Sequence, residues 1–168
     1  VPIRVESASA CNQAQMMNLG GALSQGKYIQ FLEPGDRYIS QYGLSFLKEL
    51  IEKEPHLIVA RGVSQEAKSH WLLRSKILDL GGFDEHLACR PLFDLLCRFE
   101  KQGLAPILCG RVLIDSPEEG TGSFLETSQI LYRHFGLIHT LKWLVQGRSH
   151  RLHQIAHFFK NAFWKNEY

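Results

Sequence analysis

Three histidines near the C-terminus, His150, His153 and His157, are spaced i, i+3 and i+7, which on a helix sets three imidazoles along one face. That spacing is compatible with a metal site built from ring nitrogens. The same stretch carries Arg148, Arg151, Lys160 and Lys165 beside Leu152, Ile155, Phe158, Phe159, Phe163 and Trp164, so a basic amphipathic helix is the simpler description. Such a helix can lie on an anionic membrane, pack across a sheet, or pack in a dimer. The four cysteines, at 11, 89, 97 and 109, never approach the C-x-x-C spacing of a zinc ribbon or a redox pair, and are expected to be buried, reduced thiols. Glu33 and Asp36 flank Pro34-Gly35, a dipeptide suited to a turn in which Asp36 caps the segment that follows.

The elements that must carry these residues follow from periodicity. Val1 to Val5 alternates like a strand, and Ala10 to Ser24 has Ala14, Met17, Ala22 and Leu23 at helical spacing, closed by Gly26. Tyr28 to Leu32 is a short apolar run between Gly26 and Pro34-Gly35, as expected of a buried strand ending in a sharp turn. Gly43 to Lys53 carries Leu44, Phe46, Leu47, Leu50 and Ile51 on one helical stripe, and Pro55 ends it before a strand at His56 to Ala60. Gly62 to Ser69 is polar and expected as loop, and Trp71 to Leu80 leads into Gly81-Gly82-Phe83-Asp84-Glu85. Pro91 to Gln102 is predicted as a helix with Gly103 at its C′ position, and Ala105 to Ile114 as a late strand. Asp115 to Ser123 is a loop, after which Phe124 to Gln146 and Ser149 to Trp164 form a helical tail. Strands alternating with helices point to an α/β sheet domain.

Composition sets the outer bounds. The chain has 168 residues, 45% of them hydrophobic and 21% charged, enough for one core, and 19 basic against 17 acidic side chains are too balanced to imply a nucleic-acid partner. No stretch reaches the roughly 20 apolar residues of a membrane span, and VPIRVESAS lacks the apolar region of a signal peptide, so a cytoplasmic location is expected. The start, without methionine and on a strand-like V-P-I-R-V, suggests a fragment.

Two blocks resemble the family 2 glycosyltransferases. N18-L-G-G-A-L-S-Q-G26-K-Y-I-Q-F-L-E33-P-G35-D36 resembles R-N-x-G followed by A-x-G-x-Y-I and F-L-D-x-D-D, and L80-G-G-F-D-E85, then F93-D-L95 and R98 ahead of Gly103, resembles the L-G-G-F-D-E, E-D-x-D-L and R-x-x-x-x-G segment on the acceptor side. The resemblance covers Val1 to about Arg111. It implies a GT-A fold, a nucleotide-sugar-binding α/β sandwich, here lacking its first βα units and ending in a helical tail. The division implied is a partial GT-A-like domain over 1–115, with a loop and helical tail over 116–168 packing on it.

The family's acidic turn holds a divalent cation, Mg²⁺ or Mn²⁺, against the sugar diphosphate and so stabilises the departing nucleotide. By resemblance Asp36, with Glu33, is the metal-holding pair, Asn18 and Gly20 shape the donor side, and Gly81, Gly82, Asp84 and Asp94 the acceptor side. Gly35 stands at the middle acidic position of the turn, Pro91 and Leu92 stand where the family has the E-D pair that supplies its general base, and Met17 replaces the arginine of R-N. Asp94 matches the later acid of that motif and is the nearest substitute for the base. The resemblance thus implies transfer of a sugar from a nucleotide-sugar donor to a saccharide or lipid-linked acceptor, such as a cell-envelope polysaccharide or glycolipid. The lost acids leave open a catalytically inactive homologue acting as a binding or assembly module. Family members precede these blocks with strand–helix units that hold the nucleobase. Without them the sheet has an open edge for a partner or a second copy to cover, and residues 149–168 are the candidate for peripheral membrane contact.

Overall fold

A computed structural model describes residues 11–62, 68–115 and 124–145, and within them the chain is a mixed α/β fold built on a five-stranded sheet. Helix α1 (Gln13–Leu23) begins at a capping box: the Asn12 side chain accepts from the Gln15 amide at 2.9 Å while the Gln15 side chain accepts from the Asn12 amide at 3.0 Å. Strand β1 (Tyr28–Gln30) follows, then β2 (Arg37–Tyr38), a 3-10 turn (Gly43–Leu47), α2 (Lys48–Glu52), β3 (Leu57–Gly62), β4 (Lys68–Leu73) and α3 (Arg74–Asp79). Helix α4 (Pro91–Lys101), β5 (Ile107–Asp115) and α5 (Phe124–Val145) complete the described order.

The strands lie in the order β1-β4-β3-β5-β2, all neighbours antiparallel except β3 and β5. That parallel pair is joined by a long crossover through β4, α3 and α4, and its register slips on both sides of Arg61, so that Ala60 faces Cys109 while Arg61 faces Val112. Each sheet face has its own core. Leu57, Leu72 and Ile29 on one face pack with Ala14 and Met17 of α1, Ile77 of α3 and Leu95, Leu96 and Phe99 of α4. Ile58, Ala60 and Trp71 on the other pack with Leu47 and with Cys109, Leu113 and Ile114. A third cluster, Phe93 and Cys97 of α4 with Leu87, Ile130 and Leu131, joins α5 to the body.

Helix α4 is the central element. Proline at its first position needs no amide partner. Its end is a Schellman motif, in which Leu104 N–H donates to Phe99 at 3.0 Å, Gly103 N–H donates to Glu100 at 2.8 Å, and Gly103 takes a φ of +70°. The helix expected there and its C′ glycine are both present.

Several expectations need correction. The polar segment expected as loop over 62–69 is entered by strands from both sides, β3 running through Gly62 and β4 starting at Lys68, while residues between them lie outside the description. The strand was hidden because Lys68, Ser69 and His70 are polar, although Ser69 is buried beneath Gln30, which donates to its hydroxyl at 2.5 Å. Gly43 to Lys53 is not one helix: a 3-10 turn precedes α2, Leu44 and Phe46 point outward, and Gly43 lies against the Tyr38 ring. Cys97 and Cys109 are buried as expected, but Cys11 and Cys89 are exposed. Helix α5 is broken at Gly136, whose φ of 76° and ψ of −176° belong to a region open almost only to glycine. The strand expected at Val1–Val5, the loop over 116–123, the helix over Ser149–Trp164 and the His150/His153/His157 face lie outside the described residues. Among the described residues no helix is long and apolar enough to cross a membrane.

Candidate functional site

The loop from Gly81 to Arg90, between α3 and α4, is held from three directions. From α1, Asn18 takes both backbone groups of Phe83, accepting from its N–H at 2.8 Å and donating to its carbonyl at 3.0 Å, and also donates to the Glu85 carboxylate at 2.8 Å. Asn12, the cap of α1, donates to the Glu85 carbonyl at 2.7 Å. From α4, Arg98 donates to the Leu80 carbonyl at 2.8 Å. From α5, Glu126 accepts from the Ala88 and Cys89 amides at 2.7 and 2.9 Å, and Arg133 pairs with Asp84.

The loop's two leading glycines answer to this packing. Gly81 and Gly82 have φ of +81° and +76°, and a Cβ on Gly82 would meet the Asn18 side-chain oxygen at 2.6 Å. Phe83 turns inward, its ring edge-on to Phe31 with centroids 5.1 Å apart. The motif glycines and phenylalanine therefore bring the backbone against Asn18 and drive the ring into the core.

The Glu33–Asp36 segment is a turn of type II pattern, with Pro34 second, Gly35 third at a φ of 101°, and the Asp36 amide donating to the Glu33 carbonyl at 3.0 Å. The Asp36 carboxylate accepts from the Glu33 amide at 2.8 Å, and the Glu33 carboxylate accepts from Gln13 at 3.1 Å. The first turn of α1 thus touches both blocks, Gln13 reaching Glu33 and Asn12 reaching Glu85. Gly20 sits further along α1, exposed, with open space where a side chain would be.

Asp94 is 1% exposed on α4. Its carboxylate lies 2.9 Å from an Arg98 guanidinium nitrogen, 2.7 Å from Nε2 of His134 and 3.8 Å from Arg133, so one acid is ringed by two arginines and an imidazole. A buried carboxylate needs such partners to stay in the interior. Asp84, nearer the surface, feels a burial cost that would raise its pKa, but the Arg133 hydrogen bond, the His86 amide and the Arg133 charge outweigh it and hold the carboxyl below its usual range.

Among the described residues no three His, Cys, Asp or Glu side chains converge as a metal site. Asp36 and Glu33 present two carboxylates, the number a magnesium ion commonly takes from protein when phosphates complete its shell.

The sequence pointed to Asn18, Gly81, Gly82, Asp84 and Asp94, and these cluster around one loop. Among the described residues Glu33 touches α1 through Gln13, Asp36 is tied only to Glu33, and Gly20 lies exposed on α1 with nothing near its absent side chain. Asn12, Glu126, Arg133 and His134 were missed. The only sequence signal for Glu126 was that it is the single acid in an apolar and basic helix, and His134 and Arg133 meet their partners 40 and 49 residues away. No protein-family model matches the chain, and no curated protein matches it either.

Proposed function

We propose that the chain is a sugar-transferring protein of the GT-A type, related to the family 2 glycosyltransferases, with Asn18 and Gly20 on the donor side of its site and Gly81, Gly82, Asp84 and Asp94 on the acceptor side. The observation that supports this reading is the meeting of the two motif blocks: Asn18 of the first makes three hydrogen bonds to Phe83 and Glu85 of the second. In such a transfer the acceptor oxygen bonds to the anomeric carbon as that carbon's bond to the nucleoside diphosphate breaks, and the acceptor proton passes to a base. A divalent cation, when bound, neutralises the leaving diphosphate. Asp36 and Glu33 are the side chains that would hold it.

No side chain is assigned as the base. Asp94, the nearest match, is committed to Arg98 and His134 in the interior, which favours a second reading: a noncatalytic relative in which the fold serves as a binding or assembly module. Gly35, Pro91 and Leu92 standing at acidic positions favour it too.

Calorimetry separates the two. With Mn²⁺ and a panel of nucleoside diphosphates the transferase reading expects binding heat that shrinks in Asp36→Asn. Absence of heat with every nucleotide would sink that reading and leave the module.

A further inference from the structure

Helix α5 places five of its large apolar side chains, Leu125, Tyr132, Leu137, Ile138 and Leu141, in solvent, each between 47% and 70% exposed. Its inward side is well occupied: Ile130 and Leu131 pack on Phe93 and Cys97, and Thr127 and Thr140 are buried. The outward residues are therefore surplus to the core. Leu137, Ile138 and Leu141 sit together on the segment beyond Gly136, since i, i+1 and i+4 fall on one side of a helix.

The charge on this helix is one-sided. Its one acid, Glu126, is buried and turned to the Ala88 and Cys89 amides, so α5 itself turns no carboxylate outward; Arg133 is paired with Asp84, and beyond Gly136 the exposed basic residues are His139 and Lys142. The sequence continues the bias: from Lys142 to Lys165 there are five basic residues and no acidic one, whereas residues 1–141 hold fourteen basic and sixteen acidic. A near-neutral chain thus gathers its excess positive charge at one end of its sequence, which follows directly on the apolar segment beyond Gly136.

We propose that this outward face of α5 docks on an anionic lipid bilayer surface, with Leu137, Ile138 and Leu141 entering the headgroup–acyl boundary and Lys142 beside them. Apolar residues flanked by cations and without acids are what such a surface binds, through buried apolar area and attraction to anionic headgroups together. A second copy of the chain fits less well, because a two-fold contact would bring Lys142 of both copies into one interface with no outward carboxylate on α5 to pair with them. The helix lies on the membrane rather than crossing it, because it is not apolar enough to span. The proposal does not depend on the transferase reading.

Flotation of the full chain with vesicles tests it, using phosphatidylcholine alone and phosphatidylcholine containing phosphatidylglycerol. Binding is expected to the anionic vesicles only, weakening as salt rises from about 0.1 M and the screening length shortens. The triple variant Leu137→Gln/Ile138→Gln/Leu141→Gln should lower the bound fraction at least about tenfold while its melting temperature holds. Should the triple variant fail to fold, Ile138→Gln, the most exposed of the three, is read in the same way. The proposal is overturned if the wild-type chain does not float, if it floats equally with both vesicle types, or if the variants bind as well as wild type. It is also overturned if sedimentation shows a lipid-free dimer that the substitutions dissociate, which would give the face to a second copy.

Discussion

A methyl group added at Gly82 would sit 2.6 Å from the Asn18 side-chain oxygen, on a backbone at φ +76° that other residues rarely adopt. Both the strain and the displaced hydrogen bond to Phe83 count against it, so Gly82→Ala should cost about 2–3 kcal/mol in a denaturant melt. Gly20, inside α1 with nothing near its absent side chain, is the opposite case. Gly20→Ala should gain about 0.5–1 kcal/mol by restricting the unfolded chain and favouring helix. If Gly20 lines a donor site, the same variant will bind nucleoside diphosphates more weakly despite its greater stability. Glu100 makes a prediction of its own. Its Oε2 is buried with no hydrogen-bond partner among the described residues, and burial raises its pKa from 4.5 to about 7. A carboxyl whose folded pKa is raised favours the folded state fully below its unfolded pKa and loses that contribution as pH climbs to the folded value. Wild-type stability should therefore fall between about pH 4.5 and 7, by about 1–2 kcal/mol after discounting for the group's partial exposure, and Glu100→Gln should remove most of that slope. An unchanged slope in the variant would assign the pH dependence elsewhere.

The elements that could be read in the sequence are those whose signals are local. Helix α4 announced itself by proline at its start, glycine after its end and dense apolar spacing; β1 and β3 lie between turn residues; and Asn18 and Gly82 stood in recognisable blocks. What could not be read is what depends on distant partners. β4 is polar at its start and is a strand because β1 and β3 flank it. β2 is two residues long and exists through β5. The break at Gly136 left no mark in a hydrophobic pattern that runs on past it. α5 looked like an undiagnostic tail, yet its Glu126 satisfies two amides of the motif loop across 38 and 37 residues. Glu126→Ala would strand both amides and should cost about 2–3 kcal/mol, while Glu126→Gln, keeping one acceptor, should cost about half as much. Faster hydrogen exchange at Ala88 and Cys89 in the alanine variant is the measurement, and unchanged protection there would assign those amides to another acceptor.

At the scale of the molecule, α4 lies between the sheet and α5, with Leu95 and Phe99 facing one cluster and Phe93 and Cys97 the other. Burial pushes the Cys97 thiol's pKa up, with the Glu100 and Asp94 charges adding to it, so this interior tolerates little unpaired charge. A chain ending at residue 115 would lose Ile130 and Leu131, each 3% exposed or less and each contributing about 1.5–3 kcal/mol of apolar burial. It would also lose His134 and Arg133 from around Asp94, leaving that acid with Arg98 alone, and removing one partner of a buried ion pair costs about 3–5 kcal/mol. Set against the roughly 5–15 kcal/mol that holds a domain together, those losses are comparable with the whole. Residues 1–115 should therefore bind a hydrophobic dye and melt without a cooperative transition, or not fold, although they contain all five of the described strands. A truncated chain that melts as sharply as the full one, within a few degrees, would show that α5 is an appendage to an independent domain. The sharing of Asp94 and of the motif loop between α4 and α5 argues that α5 is an integral layer of a single cooperative unit.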